Sequence, residues 1–108
     1  MDYFMMCHRL ASKSHHSRFH HGAIVVHRRG CIVGKGSNKK RIHAEVSSIM
    51  NISNFSRYQN LVVYVCRVNS TGGFMNSRPC DACMTFMREN NVTKVYFSDE
   101  EGFSKIIF

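Results

Sequence analysis

Leu61, Val62, Val63, Tyr64, Val65 and Cys66 form an unbroken apolar run. A strand turns successive side chains to opposite faces of its sheet, so a run with no polar alternation needs cover on both sides. The run is also far shorter than the roughly 18 residues expected of a membrane-spanning helix. It therefore demands a sheet with helices packed over it, and the remaining 102 of the 108 residues must supply the cover. A chain of this length matches one domain of about 100 to 150 residues, and residues 1–108 are read as a single domain.

Periodicity supplies the covering helices. Met1, Phe4, Cys7, Leu10 and Ala11 recur at helical spacing and predict a first helix over Met1 to Ser14. Ile42, Val46, Ile49 and Met50 predict a second from about His43 to Ile52, and Cys83, Met84 and Met87 a third, opening at Pro79-Cys80 and ending near Asn90-Asn91. Met5, Met6, Met84 and Met87 are expected to fill core space. Ala23 to His27 and Cys31 to Val33 read as a hairpin across Arg28-Arg29-Gly30, with His15 to Gly22 before it as a loop and Gly34 to Asn38 after it as a flexible turn. Asn69 to Arg78 reads as irregular, Val92 to Phe97 as a fourth strand and Phe103 to Phe108 as a fifth. The order α-β-β-α-β-α-β-β predicts one five-stranded sheet covered by helices. Its last two strands must be antiparallel, because Ser98 to Gly102 is too short for a parallel crossover of a dozen or more residues.

The charge is uneven. The chain carries 15 Lys and Arg against 7 Asp and Glu, a formal net charge of +8. Nine of those basic residues (Arg9, Lys13, Arg18, Arg28, Arg29, Lys35, Lys39, Lys40 and Arg41) lie in residues 1–42, with Asp2 as the single acid there. Such a field favours anionic partners or simply solubility. The acid at position 2, where an export signal would be positive, and the odd count of five cysteines point to a soluble intracellular protein without a disulfide framework. The histidines His15, His16, His20 and His21 read as a solvated loop, with a second metal site as the alternative. Gly34-Lys35-Gly36 is too short for a phosphate-cradling loop.

Two segments carry chemistry: His43-Ala44-Glu45 and Pro79-Cys80-Asp81-Ala82-Cys83. Cys80 and Cys83, three apart, share a helical face and can hold one metal ion. His43 and Glu45 would point about 200° apart in mid-helix and converge only at a helix's first turn. Two helix starts side by side therefore gather an imidazole, two thiols and a carboxylate, and their dipoles are expected to favour thiolates. Nitrogen with two sulfurs suits zinc, and three protein ligands leave a fourth position for water that Glu45 can deprotonate. The competing reading is a closed structural zinc site completed by Cys31, Cys66 or a further histidine.

H-x-E followed by P-C-x-x-C is the motif pair of the zinc-dependent base deaminases, and the chain resembles the cytidine deaminase-like superfamily over nearly its whole length, which implies an α/β fold, a three-layer α-β-α sandwich around a mixed five-stranded sheet with its last two strands antiparallel. The resemblance implies one Zn²⁺ per chain on His43, Cys80 and Cys83, with Glu45 as proton shuttle. It further implies that the Ala44 backbone N–H contacts the pyrimidine carbonyl and that Asn38 contacts the sugar. In the superfamily an antiparallel final strand pair resembles the free-nucleoside enzymes and several toxins, whereas an H-A-E histidine is more usual in the nucleotide and nucleic-acid enzymes. The first reading is hydrolytic deamination of free (deoxy)cytidine or its monophosphate, in a homo-oligomer and with no membrane partner. The alternatives are a deaminase of bases within single-stranded DNA or RNA, toxin-like members included, which would use basic residues 28–41, and a non-catalytic zinc-supported binding module. Phe74, Phe19 and Tyr58 are candidates for stacking on the base.

Overall fold

A computed structural model of the chain describes residues 2–13, 20–27, 30–38, 43–53, 55 and 58–108. The elements run α1 (Tyr3–Ser12), β1 (His20–Val26), β2 (Ile32–Ser37), α2 (Ala44–Met50), β3 (Leu61–Val68), β4 (Phe74–Met75), α3 (Asp81–Glu89), β5 (Val92–Asp99) and β6 (Gly102–Ile107). The sheet order is β2-β1-β3-β5-β6, with β4 paired to β3 outside that path. The apolar run forms the central strand, and its side chains divide by parity. Leu61, Val63 and Val65 enter the core beneath α2 and α3 with Ala23, Val25, Val95 and Phe97. Cys66 and Val68 enter a second core beneath α1 with Ile24, Val26, Cys7 and Ala11.

The final strand pair is antiparallel, from Lys94 opposite Ile107 to Asp99 opposite Gly102, as the short connection requires. β1 pairs antiparallel with both β2 and β3, while β3 and β5 are parallel. It follows that β2, β3 and β5 all point the same way. α2 follows β2, and α3 follows β3 by way of β4, which turns back beside the last residues of β3, so both helices begin at the same end of the sheet.

Four expectations need correction. The sheet has six strands rather than five, because two residues of the stretch read as irregular form β4, too short to leave a pattern. β1 begins at His20, inside the segment read as a loop, and β2 continues to Ser37 through the segment read as a flexible turn. The glycines there serve close packing. A Cβ on Gly34 would collide with the Ser48 carbonyl oxygen, and one on Gly36 would lie 2.6 Å from the Ser48 nitrogen, so their absence lets α2 rest on β2. Met5, expected in the core, is 48% exposed because Cys7 and Ala11 take the buried stripe of α1. Met1, the histidines His15 and His16, Phe19 and the basic residues Arg18, Arg28, Arg29, Lys39, Lys40 and Arg41 lie outside the described residues.

Gly34→Ala should lower stability by about 1 to 3 kcal/mol, the usual cost of forcing atoms into a packed contact. Gly73→Ala, whose added Cβ would first meet the Asn69 side chain at 3.2 Å, should cost much less. Urea midpoints of the two variants check the contrast.

Candidate metal and catalytic site

His43 and Cys80 occupy equivalent positions in the chain. Each is the extended residue immediately before a helix, with φ, ψ of −71°, 152° for His43 and −70°, 164° for Cys80. The first intrahelical bonds run from the Ser47 N–H to the His43 carbonyl and from the Met84 N–H to the Cys80 carbonyl, at 3.0 and 2.9 Å. The amides of Ala44, Glu45, Asp81 and Ala82 thus precede the helical ladders, and both helices present their positive ends here.

Nδ1 is the imidazole nitrogen turned towards the thiols. It lies 2.9 Å from the Cys83 Sγ and 3.7 Å from the Cys80 Sγ. The three ligand atoms lie within 4.8 Å of one another, positioned to hold a metal ion. Tetrahedral zinc, with bonds of about 2.0 to 2.3 Å, needs donors about 3.5 to 4 Å apart, so small shifts suffice. No fourth His, Cys, Asp or Glu joins the group among the described residues. Cys66 is buried beneath α1 and Cys31 is exposed. The closed structural site therefore finds no fourth ligand among the described residues.

Glu45, in the first turn of α2, is 5% exposed. Burial pushes its carboxyl above the ordinary carboxylate range, while its own backbone N–H, the neighbouring His43 and the Cys83 thiol pull it part of the way back. Burial also pushes the Cys83 thiol well above its usual range, and the nearby Glu45 and Cys80 add to the rise. At Cys83 burial and the neighbouring acid thus act against the helix dipoles that favour a thiolate. Desolvation and a neighbouring acid both disfavour the charged form, and a cation is what reverses the balance.

Ala44 is fully buried against the strands. Asn38 is 5% exposed, and its side-chain oxygen accepts the His21 N–H at 2.9 Å while its own N–H donates to the His21 carbonyl at 3.2 Å. It thereby closes the end of the β1–β2 ladder that leads towards His43. Of the base-stacking candidates, Phe74 packs against His8 and Phe103 on the α1 side of the sheet, and Tyr58 tilts against His27 with ring centres 5.5 Å apart.

Sequence reasoning missed a buried serine pair at the approach to α3. Ser77, 4% exposed, interlocks with Ser98 of β5. The Ser77 N–H donates to the Ser98 carbonyl at 2.8 Å, the Ser98 N–H donates to the Ser77 Oγ at 2.7 Å, and the two hydroxyls lie 3.0 Å apart. The Ser98 hydroxyl also donates to the Met75 carbonyl at 2.8 Å. Two serines 21 positions apart carry no sequence signal of such a pairing.

Residues 1–99 match the family described as "Cytidine and deoxycytidylate deaminase zinc-binding region". The chain belongs to that family. Comparison with curated protein sequences gives no match. Among solved structures, a variant of cytidine deaminase from Mycobacterium tuberculosis is similar at a TM-score of 0.65 and 18% identity, over 95% of this chain and 89% of that one. Cytidine deaminase from Mycobacterium leprae gives 0.59 and 18%, over 94% and 87%. RibD from Acinetobacter baumannii gives 0.64 and 18% over 90% of this chain, which spans only 27% of that protein. These likenesses establish the cytidine deaminase fold. The family's zinc matches a His-Cys-Cys donor set, which is softer than calcium or magnesium would select.

Ser77→Ala leaves the Ser98 N–H short of its acceptor inside the fold, so stability should fall by roughly 1 to 3 kcal/mol. Zinc affinity should fall with it, as measured by competition with a chromophoric chelator. A pH effect follows from Glu45. Its folded carboxyl holds a proton more tightly than the unfolded one, so its contribution to stability is present at acid pH and lost as pH rises through the raised folded value. Metal-free Glu45→Gln should therefore melt above the metal-free parent at pH 7, with the gap closing towards pH 4.

Proposed function

We propose that the chain is a zinc-dependent hydrolytic deaminase that converts cytosine to uracil in free (deoxy)cytidine or its monophosphate. One observation carries this reading. A buried carboxyl sits in the first turn of α2, beside a three-donor metal group with no fourth ligand among the described residues. A structural zinc module has no use for such a group, which argues against the non-catalytic reading.

In this reading His43, Cys80 and Cys83 hold the metal. Zinc, when bound, supplies Lewis-acid activation of water near neutral pH. Glu45 takes a proton from the attacking water and delivers it to N3 of the ring, then takes the proton of the new C4 hydroxyl and passes it to the departing amino group. The C4–N bond breaks, ammonia leaves and the C4 carbonyl of uracil forms. Burial suits Glu45 to this shuttle, because a carboxyl raised above its ordinary range is a stronger base towards water. The Ala44 N–H, ahead of the helical ladder, is assigned to the pyrimidine carbonyl. Asn38, anchored through its oxygen to His21, is assigned to the sugar.

Residues 1–108 are taken as a single catalytic domain, working in a homo-oligomer. Met50, at the end of α2 and 66% exposed, is one apolar side chain that a neighbouring subunit would cover. No described helix is long and apolar enough to cross a membrane. The basic excess of residues 1–42 favours a second reading, deamination of a base within single-stranded DNA or RNA, with residues 28–41 on the phosphates.

The test is uracil formation from cytidine, deoxycytidine, their monophosphates, single-stranded DNA and RNA, each supplied separately to zinc-loaded protein. Free nucleosides or nucleotides should react, and activity confined to polymers would overturn the first reading. Glu45→Ala should keep its zinc and lose about 10²- to 10⁴-fold in rate, the usual share of general acid–base catalysis. Loss of zinc in that variant would make Glu45 a ligand instead.

A further inference from the structure

Arg78 stands two residues before Cys80, at the approach to α3, and is exposed. Its guanidinium carbon lies 5.8 Å from the centre of the Phe97 ring, and its backbone N–H donates to the Asn76 side-chain oxygen at 2.8 Å. Phe97 is 7% exposed and packs in the same core cluster as Ala44 and Cys83. The guanidinium is thus seated on the wall of the cluster that carries the metal group.

What the guanidinium lacks is an anion. No carboxylate pairs with it among the described residues. The acids nearest in sequence and fold are engaged elsewhere or solvated. Asp99 accepts the Glu101 N–H at 2.8 Å and the Ser104 hydroxyl at 3.4 Å within its own hairpin, and Asp81 is exposed on α3. An aromatic seat and a fixed backbone hold the planar fork in place while its N–H groups still face solvent. Arginine in that state suits bidentate contact with an oxyanion better than a flexible lysine would.

We propose that Arg78 binds a phosphate group of the substrate, so that the site prefers a phosphorylated pyrimidine, as free nucleotide or within a strand, over the neutral nucleoside. The proposal rests on the deaminase reading and narrows its substrate class. Arg78 acts here as a specificity-determining residue, outside the proton chemistry of Glu45. The competing role is structural, with the arginine stem merely covering Phe97.

The experiment is calorimetry on the zinc-loaded full chain with cytidine, cytidine 5′-monophosphate and a short deoxycytidine oligonucleotide, beside uracil formation from each. The monophosphate or the oligonucleotide should bind roughly ten- to a hundredfold more tightly than cytidine, as expected of a charged hydrogen bond. In Arg78→Met, which keeps a stem over Phe97 without the charge, that ratio should fall towards one, and Arg78→Lys should retain part of it. Inorganic phosphate should compete with the monophosphate in the parent and not in Arg78→Met. A preference for the oligonucleotide alone would place the phosphate in a strand, and one for the monophosphate would place it on the free nucleotide. Either supports the proposal. Equal binding of all three ligands, or a ratio that survives Arg78→Met, would overturn it. An intact, Arg78-dependent preference with no uracil from any substrate would uphold the phosphate contact and overturn the deaminase reading instead.

Discussion

Strand direction is the constraint on which the site depends. Because β1 is antiparallel to both its neighbours, β2 and β3 point the same way, and the chain reaches α2 from the end of β2 and α3 from the end of β3 by way of the two-residue β4. Both helices then start at one end of the sheet, and residues 37 positions apart in sequence, His43 and Cys80, become neighbours. A helix start also directs side chains and unpaired amides beyond its end. A site built this way needs no insertion.

Close packing makes the arrangement exact enough to hold a metal. Gly34 and Gly36 let α2 settle on β2, and the Ser77–Ser98 interlock ties the approach to α3 against β5. The two helix starts are thus fixed to the same sheet by different means, one by missing side chains and the other by buried hydrogen bonds. Within the cradle, burial raises both Glu45 and Cys83. The metal-free site therefore favours protons where the loaded site would favour charge. Zinc affinity and the proton affinity of the catalytic carboxyl are consequences of one desolvated pocket.

Much of this was legible in the residues. The run Leu61 to Cys66 required a sheet covered on both faces, the short Ser98 to Gly102 connection required an antiparallel pair, and the His43-x-Glu45 spacing required a helix's first turn. Each is a matter of chain geometry, independent of distant partners. What escaped was non-local. Gly34 and Gly36 look like turn residues until α2 is placed upon them, and Phe74 is as plausible a base platform as any aromatic until it is found on the α1 side of the sheet. Ser77 and Ser98 are ordinary polar residues whose importance exists only in their pairing. The rise at Cys83 escaped as well, because a helix dipole is visible in sequence and burial beside Glu45 is not.

The central claim is that two helix starts create an open three-ligand zinc centre rather than a closed structural one. X-ray absorption at the zinc edge of the purified protein tests it most directly. Expected is one zinc per chain with two sulfurs, one imidazole nitrogen and one exchangeable oxygen in the first coordination sphere. A centre with a third sulfur or a second imidazole and no oxygen would contradict it.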